Sequence, residues 1–422
     1  MDVDILVILK GYAVFVIVVS VIYLIRHFIF TMDRVFGEQK MYYQDIIESD
    51  YPSVTVFVSM HNEEKVAMNV LELLVKCDYP QDKLSIIPIN DHSTDKTREI
   101  LDSFAAKYPI IRPLHRDSGE RGKAVALNDG MALTDHEIMM VFDADYLPPK
   151  GILKDIAVCF INPEVGAVMG RVVPINVSTN LLTRILDIER SGGYQVDQQA
   201  RYNMRLIAQY GGTVGGFRRK EVLALGGFNH KSLTEDTELT FKLYLEGWKV
   251  VYANRVECYE EAPETWAVRA RQITRWSRGH NQVMFTYFTR FIFCENISFR
   301  EKVDGVLLLF VYAMPFVLLV GMANSLALFF LGESGIFAST SMISLFLVGC
   351  STFGNYAPFY EIGLAVFLDG ATRRLRLLPL LIFNFFFNMF YTSKGFLEAF
   401  VDVTTGRATI WQKTERFRKA AP

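Results

Sequence analysis

Asp143 and Asp145 stand at alternate positions directly after the apolar run Ile138-Met139-Met140-Val141-Phe142. Two carboxylates so placed can hold a hard divalent cation, Mg2+ or Mn2+, which keeps some of its waters and bridges phosphate oxygens. Departure of a sugar from a nucleotide diphosphate is chemistry that needs this, because charge develops on the leaving diphosphate. Asp-x-Asp pairs also occur in surface turns, so the position at a strand end is what gives this one weight. A second acidic group, Thr234-Glu235-Asp236-Thr237, opens a segment with helical spacing (Leu239, Leu243, Tyr244). It reads as a capped helix start, and also as a site where Asp236 acts as general base on an acceptor hydroxyl. The two readings are compatible, with one carboxylate capping and the other projecting into a pocket. The third group, Gln272-Ile273-Thr274-Arg275-Trp276, lies in an expected helix from Thr265 to Phe288. Gln272 shares a helix face with Arg275 or Trp276; Arg can fork onto phosphate and Trp offers a flat stacking surface. Taken alone, the segment reads equally as an amphipathic helix at a membrane surface.

The elements that would position these groups alternate. Val54–Met60 reads as a strand, Glu63–Lys76 as a helix (Val66, Val70, Leu73, Leu74), Leu84–Ile89 as a strand and Thr97–Tyr108 as a helix. Ile110–Leu114, Gly122–Ala132 and Ile138–Phe142 continue the series as strand, helix and strand. This alternation predicts an α/β domain built on an open parallel sheet, whose ligands bind at the carboxyl ends of the strands. Polar residues gather at those ends: His61-Asn62-Glu63 after the first strand, Asn90-Asp91-His92-Ser93 after the second, Asp143-Ala144-Asp145 after the fourth. No Gly-x-Gly-x-x-Gly follows the first strand and no Walker A sequence occurs, which disfavours a dinucleotide dehydrogenase and a P-loop enzyme.

The chain of 422 residues is 51% hydrophobic with 33 Phe, and the excess is concentrated at the two ends. Ile5–Phe30 is long enough to cross a hydrocarbon core; it is too long for a cleaved signal peptide and lacks a basic start and a cleavage site. Val306–Leu331, Ile336–Leu368 and Leu377–Phe400 are further apolar blocks. Arg26, Arg34 and Lys40 follow the first span, so the positive-inside rule puts the middle of the chain in the cytoplasm. The organisation expected is a membrane anchor over residues 1–31, a cytoplasmic domain over 50–295, transmembrane or interfacial helices over 300–400 and a basic cytoplasmic tail over 401–422, in a multi-pass cell-membrane protein. The cluster Arg373–Arg376 and the tail both favour the cytoplasm, so either Ile336–Leu368 breaks near Gly354–Pro358 or one block lies in the interface. A formal charge of −2 gives no reason to expect nucleic acid as a partner. The five widely spaced cysteines read as reduced thiols, without a Cys-x-x-Cys pair.

The order Asn62-Glu63, Asp91, Asp143-x-Asp145, Thr234-Glu235-Asp236, Gln272-x-x-Arg275-Trp276, followed by hydrophobic blocks, resembles the processive family 2 glycosyltransferases, which include cellulose, chitin, hyaluronan and poly-N-acetylglucosamine synthases. The resemblance runs from about Ser53 to His280. It implies a GT-A, Rossmann-like nucleotide-sugar fold flanked by α-helical transmembrane segments, with Asn62, Glu63, Asp91, Lys123 and Asp143 on the nucleotide-sugar and Asp91 at the uridine. It further implies Mg2+ or Mn2+ on Asp143 and Asp145, Asp236 as the base, and Gln272, Arg275 and Trp276 at the diphosphate and acceptor end. Phe217 and Arg218, after Gly211-Gly212-Thr213, are similar to the family's acceptor-side segment. Trp411–Arg416 is similar to a Trp-containing basic motif of related synthases. The activity implied is inverting β-transfer of glucose or N-acetylglucosamine from a UDP-sugar to a growing polysaccharide, processive and coupled to export, with an accessory export or regulatory subunit as a possible partner. The alternatives are a non-processive transferase acting on a membrane lipid and a transporter or scaffold whose domain only binds nucleotide. Asn90-Asp91-His92-Ser93 departs from the family's usual turn, and Ser277–Gln282 does not follow its hyaluronan or poly-N-acetylglucosamine members, leaving the sugar open.

Overall fold

The computed structural model describes residues 3–41, 50–333 and 357–407. Val54–Met60 (β1) is rich in β-branched residues, and Val54, Val56, Phe57 and Val58 are fully buried. Burial on both faces is what a central strand of a covered sheet requires. The next helix, α2 (Ala67–Val75), buries Ala67, Val70, Leu71 and Leu74, the i, i+3, i+4, i+7 stripe of an amphipathic helix. It starts four residues after the expected Glu63, whose carbonyl instead accepts from Val66 and Ala67 in a preceding turn. There follow β2 (Leu84–Asp91), α3 (Thr97–Lys107), β3 (Leu114–Arg116), α4 (Lys123–Ala132) and β4 (Ile138–Asp143). The third strand begins where it was expected to end; of the expected segment, Ile111 makes a single bridge to Ile86.

Beyond β4 come α5 (Ile152–Ala157), β5 (Val165–Pro174), α6 (Leu181–Ser191), a π-helical stretch Gly192–Gln198, α7 (Gln199–Asn203), β6 (Gly215–Arg218), α8 (Arg219–Ala224), α9 (Glu235–Leu245), β7 (Lys249–Glu260) and α10 (Trp266–Phe293). Seven strands among the described residues form one sheet in the order β3-β2-β1-β4-β6-β5-β7. The sheet is mixed rather than purely parallel: β1 pairs parallel with β2 and β4, while β6 runs antiparallel to both β4 and β5. Strand order reverses between β1 and β4, which opens a crevice at their carboxyl ends.

Val3–Phe36 forms one helix (α1), and an 18-residue stretch within Ile5–Phe36 has a mean hydropathy of 2.7. Thr372–Thr405 also has the length and composition of a membrane span, with an 18-residue stretch at a mean hydropathy of 1.3; within it a 3-10 stretch, Thr372–Leu380, leads into a long α-helix from Leu381 to Thr405. The expected block Val306–Leu331 is not one helix. It divides into α11 (Phe299–Phe310) and α12 (Met314–Phe330), bent by 64°, with Pro315 in the first turn of α12, where a missing N–H costs nothing. Only Ala357–Leu368 (α13) of the expected Ile336–Leu368 block is described, and the helix Leu381–Thr405 is α14. The Trp411–Arg416 motif lies outside the described residues.

The anchor is tied to the rest of the chain by polar bonds. Tyr23 donates to the Leu307 carbonyl (2.7 Å), Tyr12 to that of Val317 (2.9 Å), and Asn324 to that of Leu9 (2.9 Å). Nearer the catalytic half, buried Arg26 pairs with Asp304 of α11 (2.7 Å) and Asp197 of the π-helix (3.0 Å). The four described cysteines are free thiols.

Candidate active site

A cleft of about 510 Å³ opens at the carboxyl ends of β1, β2 and β4. Asp91, the last residue of β2, closes its first end. Its Oδ2 accepts from the Gly122 backbone N–H (2.8 Å), and its Oδ1 meets His92 Nδ1 (2.8 Å) and the Arg116 guanidinium. Glu63, from the turn after β1, reaches the same wall. Asn62 does not line the cleft: at φ +55° it shapes the turn, its Oδ1 accepting from the Thr94 backbone N–H (2.7 Å).

Asp143 ends β4 and Asp145 follows it; both line the cleft, Asp145 only 2% exposed. Lys123, at the start of α4, extends Nζ to Asp143 Oδ1 (2.5 Å). Burial works against that ammonium, but the carboxylates of Asp143, Glu235 and Asp236 together hold its pKa above the ordinary lysine value. Among the described residues no cluster of three or more His, Cys, Asp or Glu side chains stands ready to hold a metal. Asp143 and Asp145 are the residues that would hold a divalent cation here, and two carboxylate oxygen donors suit a hard cation rather than zinc.

Asp236 lies in the first turn of α9 and faces the loop before β6. A Cβ at Gly212 would sit 3.1 Å from Asp236 Oδ2, so the approach depends on that glycine at φ +71°. One residue on, Thr213 Oγ accepts the backbone N–H of Asp143 (3.2 Å). A single loop therefore joins the two acidic centres. Of the expected cap, the threonine part is not formed, since Thr234 occupies the N-cap position without a side-chain bond, while a carboxylate does serve the helix start: Asp236 Oδ1 accepts from the Thr237 N–H (2.7 Å). Burial, reinforced by the negative Asp236 alongside, pushes the Glu235 carboxyl up to about 7. Burial raises that of Asp236 as well.

Gln272, Arg275 and Trp276 of α10 line the opposite side. Phe217 and Arg218 do not reach the cleft. Because β6 runs antiparallel to β4, Arg218 pairs with Ile138 at the amino end of that strand, while Gly211 and Thr213 stay at the cleft. Phe217 is fully buried in the core, and Arg218 bonds Glu137 (2.6 Å) and the carbonyls of Val165 and Phe160.

Residues 52–279, more than half of the chain, match the family described as glycosyltransferase like family 2. The chain belongs to that family. It is 36% identical over 245 residues to the probable glycosyltransferase YdaM of Bacillus subtilis (57% of this chain, 58% of that one). It is 33% identical over 267 residues to the beta-monoglucosyldiacylglycerol synthase of Synechocystis (63% of this chain, 55% of that one). The chain therefore spans a little over half the length of these curated relatives. Among solved structures, mannosyltransferase PcManGT from Pyrobaculum calidifontis, in complex with GDP-Man and Mn2+, superposes with a TM-score of 0.57 at 18% identity, covering 88% of this chain and 98% of that one. That likeness supports a GT-A-like α/β fold for this family 2 domain.

The domain's cleft also takes in residues that spacing did not flag. Glu189, Arg190, Tyr194 and Glu260 contribute to its walls. Tyr146 donates to Glu260 (2.5 Å), and Arg190 ion-pairs with the same carboxylate. Glu189 and Arg190 end α6 and Tyr194 sits in the π-helix, an arrangement found at functional sites. His61, grouped with Asn62 and Glu63 at the end of β1 in the sequence, lines the cleft as well.

Proposed function

We propose that this chain is a membrane-bound inverting glycosyltransferase that moves a sugar from a UDP-sugar to a hydroxyl presented at the cytoplasmic membrane surface. What supports the reading above all is the convergence, in one cleft, of Asp143 and Asp145 with Lys123 on one side and Asp236 on the other, across a loop only as wide as Gly212-Thr213. Asp91 and Glu63 hold the nucleotide end. A divalent cation on Asp143 and Asp145 would supply neutralisation of the charge that grows on the departing diphosphate. Lys123 adds a fixed positive charge there and Arg275 faces the same group from α10, while Gln272 and Trp276 line the acceptor end. Asp236 takes the acceptor hydroxyl's proton while that oxygen bonds to the anomeric carbon. The carbon's bond to the diphosphate breaks, and its electron pair leaves with the nucleotide. One displacement inverts the centre, giving a β-link from an α-linked donor, with no covalent enzyme intermediate. A cytoplasmic catalytic domain is favoured by Arg26 and Arg34 near the carboxyl end of α1, through the positive-inside rule.

For the acceptor, a membrane lipid is favoured by the 33% identity to a protein named for glucosyldiacylglycerol synthesis. The Gln272-x-x-Arg275-Trp276 segment favours a second reading, a processive polymer made with export or regulatory partners. Purified protein given labelled UDP-glucose or UDP-N-acetylglucosamine, Mn2+ and diacylglycerol vesicles separates them. The lipid reading predicts one glycolipid species extractable in organic solvent. A ladder or high polymer would contradict it.

A further inference from the structure

The cleft wall formed by α10 is held by a charged side chain that none of the roles above uses. Arg269 lies one turn before Gln272 and is 2% exposed, among the largest fully buried side chains described. Its Nη1 donates to Gln272 Oε1 (3.0 Å), its Nη2 to Glu189 Oε1 (2.6 Å), and its guanidinium carbon lies 5.6 Å from the centre of the Trp276 ring. One planar group thus orients both the amide and the indole of the Gln-x-x-Arg-Trp segment, a fork that a lysine could not reproduce. Glu189 is engaged from behind: its second oxygen accepts from Asn384 Nδ2 (2.5 Å) and Asn388 Nδ2 (3.3 Å). Both asparagines belong to α14, inside the apolar segment Thr372–Thr405. Polar side chains in such a segment are costly unless partnered, and Glu189 is the partner.

The two helices are locked together beside this chain of contacts. Ser277 Oγ donates to the Thr392 carbonyl (2.7 Å), Thr274 Oγ to that of Tyr391 (3.2 Å), and a Cβ on Gly395 would fall 2.6 Å from the Thr274 carbonyl oxygen. Helix α14, which has the length and composition of a membrane span, therefore braces from behind the helix that carries Gln272 and Trp276.

We infer that Arg269 and Glu189 are positioning residues: they carry the placement of α14 to Gln272 and Trp276, and so govern acceptor use while leaving the nucleotide end untouched. The inference rests on the transferase reading above and deepens it. Three variants test it in the full-length protein in vesicles: Arg269→Lys, which keeps the charge but loses the fork, Glu189→Gln, which keeps the shape, and the double change Asn384→Ala with Asn388→Ala. Each should lower kcat/KM for the acceptor by about 10- to 100-fold, the usual size of an effect transmitted through a supporting partner, while the Kd for UDP stays within about twofold of wild type. The double asparagine change combined with Arg269→Lys should cost far less than the product of the two effects, since both cut one chain of contacts. Wild-type acceptor kinetics in Arg269→Lys and Glu189→Gln would overturn the inference. So would a parallel loss of UDP binding, which would make the pair a general support of the fold. A wild-type protein that binds UDP but transfers to no acceptor would instead overturn the functional reading.

Discussion

Asp236 and Glu235 share a buried corner, and their protons follow from that. Both carboxyls hold on to a proton at higher pH in the folded chain than in the unfolded one, where the reference is about 4. Stability drawn from those bound protons is present at acid pH and declines as pH rises through the Glu235 value of about 7. Activity runs the other way, because only the carboxylate accepts a proton. The kcat/KM for transfer should therefore fall on the acid side as Asp236 takes up a proton, with the acid limb above the ordinary carboxylate range because burial raises Asp236. A pH–rate profile whose acid limb lies in the ordinary carboxylate range would contradict the burial of the base. Asp91, Asp143, Asp145 and Asp236 were legible as candidates because they follow apolar strands or open a helix, positions where this fold builds its pocket. Glu189 and Arg269 were not, because their importance lies in partners about 80 to 200 residues away along the chain. Local spacing carries no trace of such contacts.

At the scale of elements, the strand-helix series from Val54 to Asp143 was readable because each piece buries a periodic apolar stripe. The reversed strand β6 was not. Its four residues, Gly215–Arg218, look locally like any strand end, and only antiparallel pairing sends Phe217 and Arg218 away from the cleft and brings Gly211 to it. The break at residues 311–313 was hidden for a similar reason, since hydrophobicity continues across it. Helix α10 approaches the start of α9 at Gly279, where a Cβ would lie 2.5 Å from Thr234 Cγ2 and 2.9 Å from its backbone nitrogen. Gly279→Ala must push apart the helices bearing Trp276 and Asp236, at a cost of about 1–3 kcal/mol for overpacking. It should lower both the melting temperature in detergent and the transfer rate. Gly11→Ala in α1, where nothing lies within 4 Å, should leave the melting temperature unchanged or slightly higher. Equal behaviour of the two variants would contradict the close helix contact.

As a whole, the molecule joins a family 2 glycosyltransferase domain to membrane helices through buried charge rather than a loose tether. Arg26 of α1 reaches Asp197 beside the cleft and Asp304 of α11, and the Asn384–Glu189–Arg269 chain does the same from α14. In the function proposed above, these contacts would set the donor site, base and acceptor wall at one height relative to the bilayer, as a transferase with a membrane-embedded acceptor needs. All of this depends on Asp236 being the base across from the cation-holding pair. Asp236→Asn keeps an oxygen able to accept the Thr237 N–H but cannot take a proton. With UDP-sugar and Mn2+, that variant should bind UDP like wild type and transfer sugar about 10²- to 10⁴-fold more slowly. Transfer at the wild-type rate in Asp236→Asn would contradict the account.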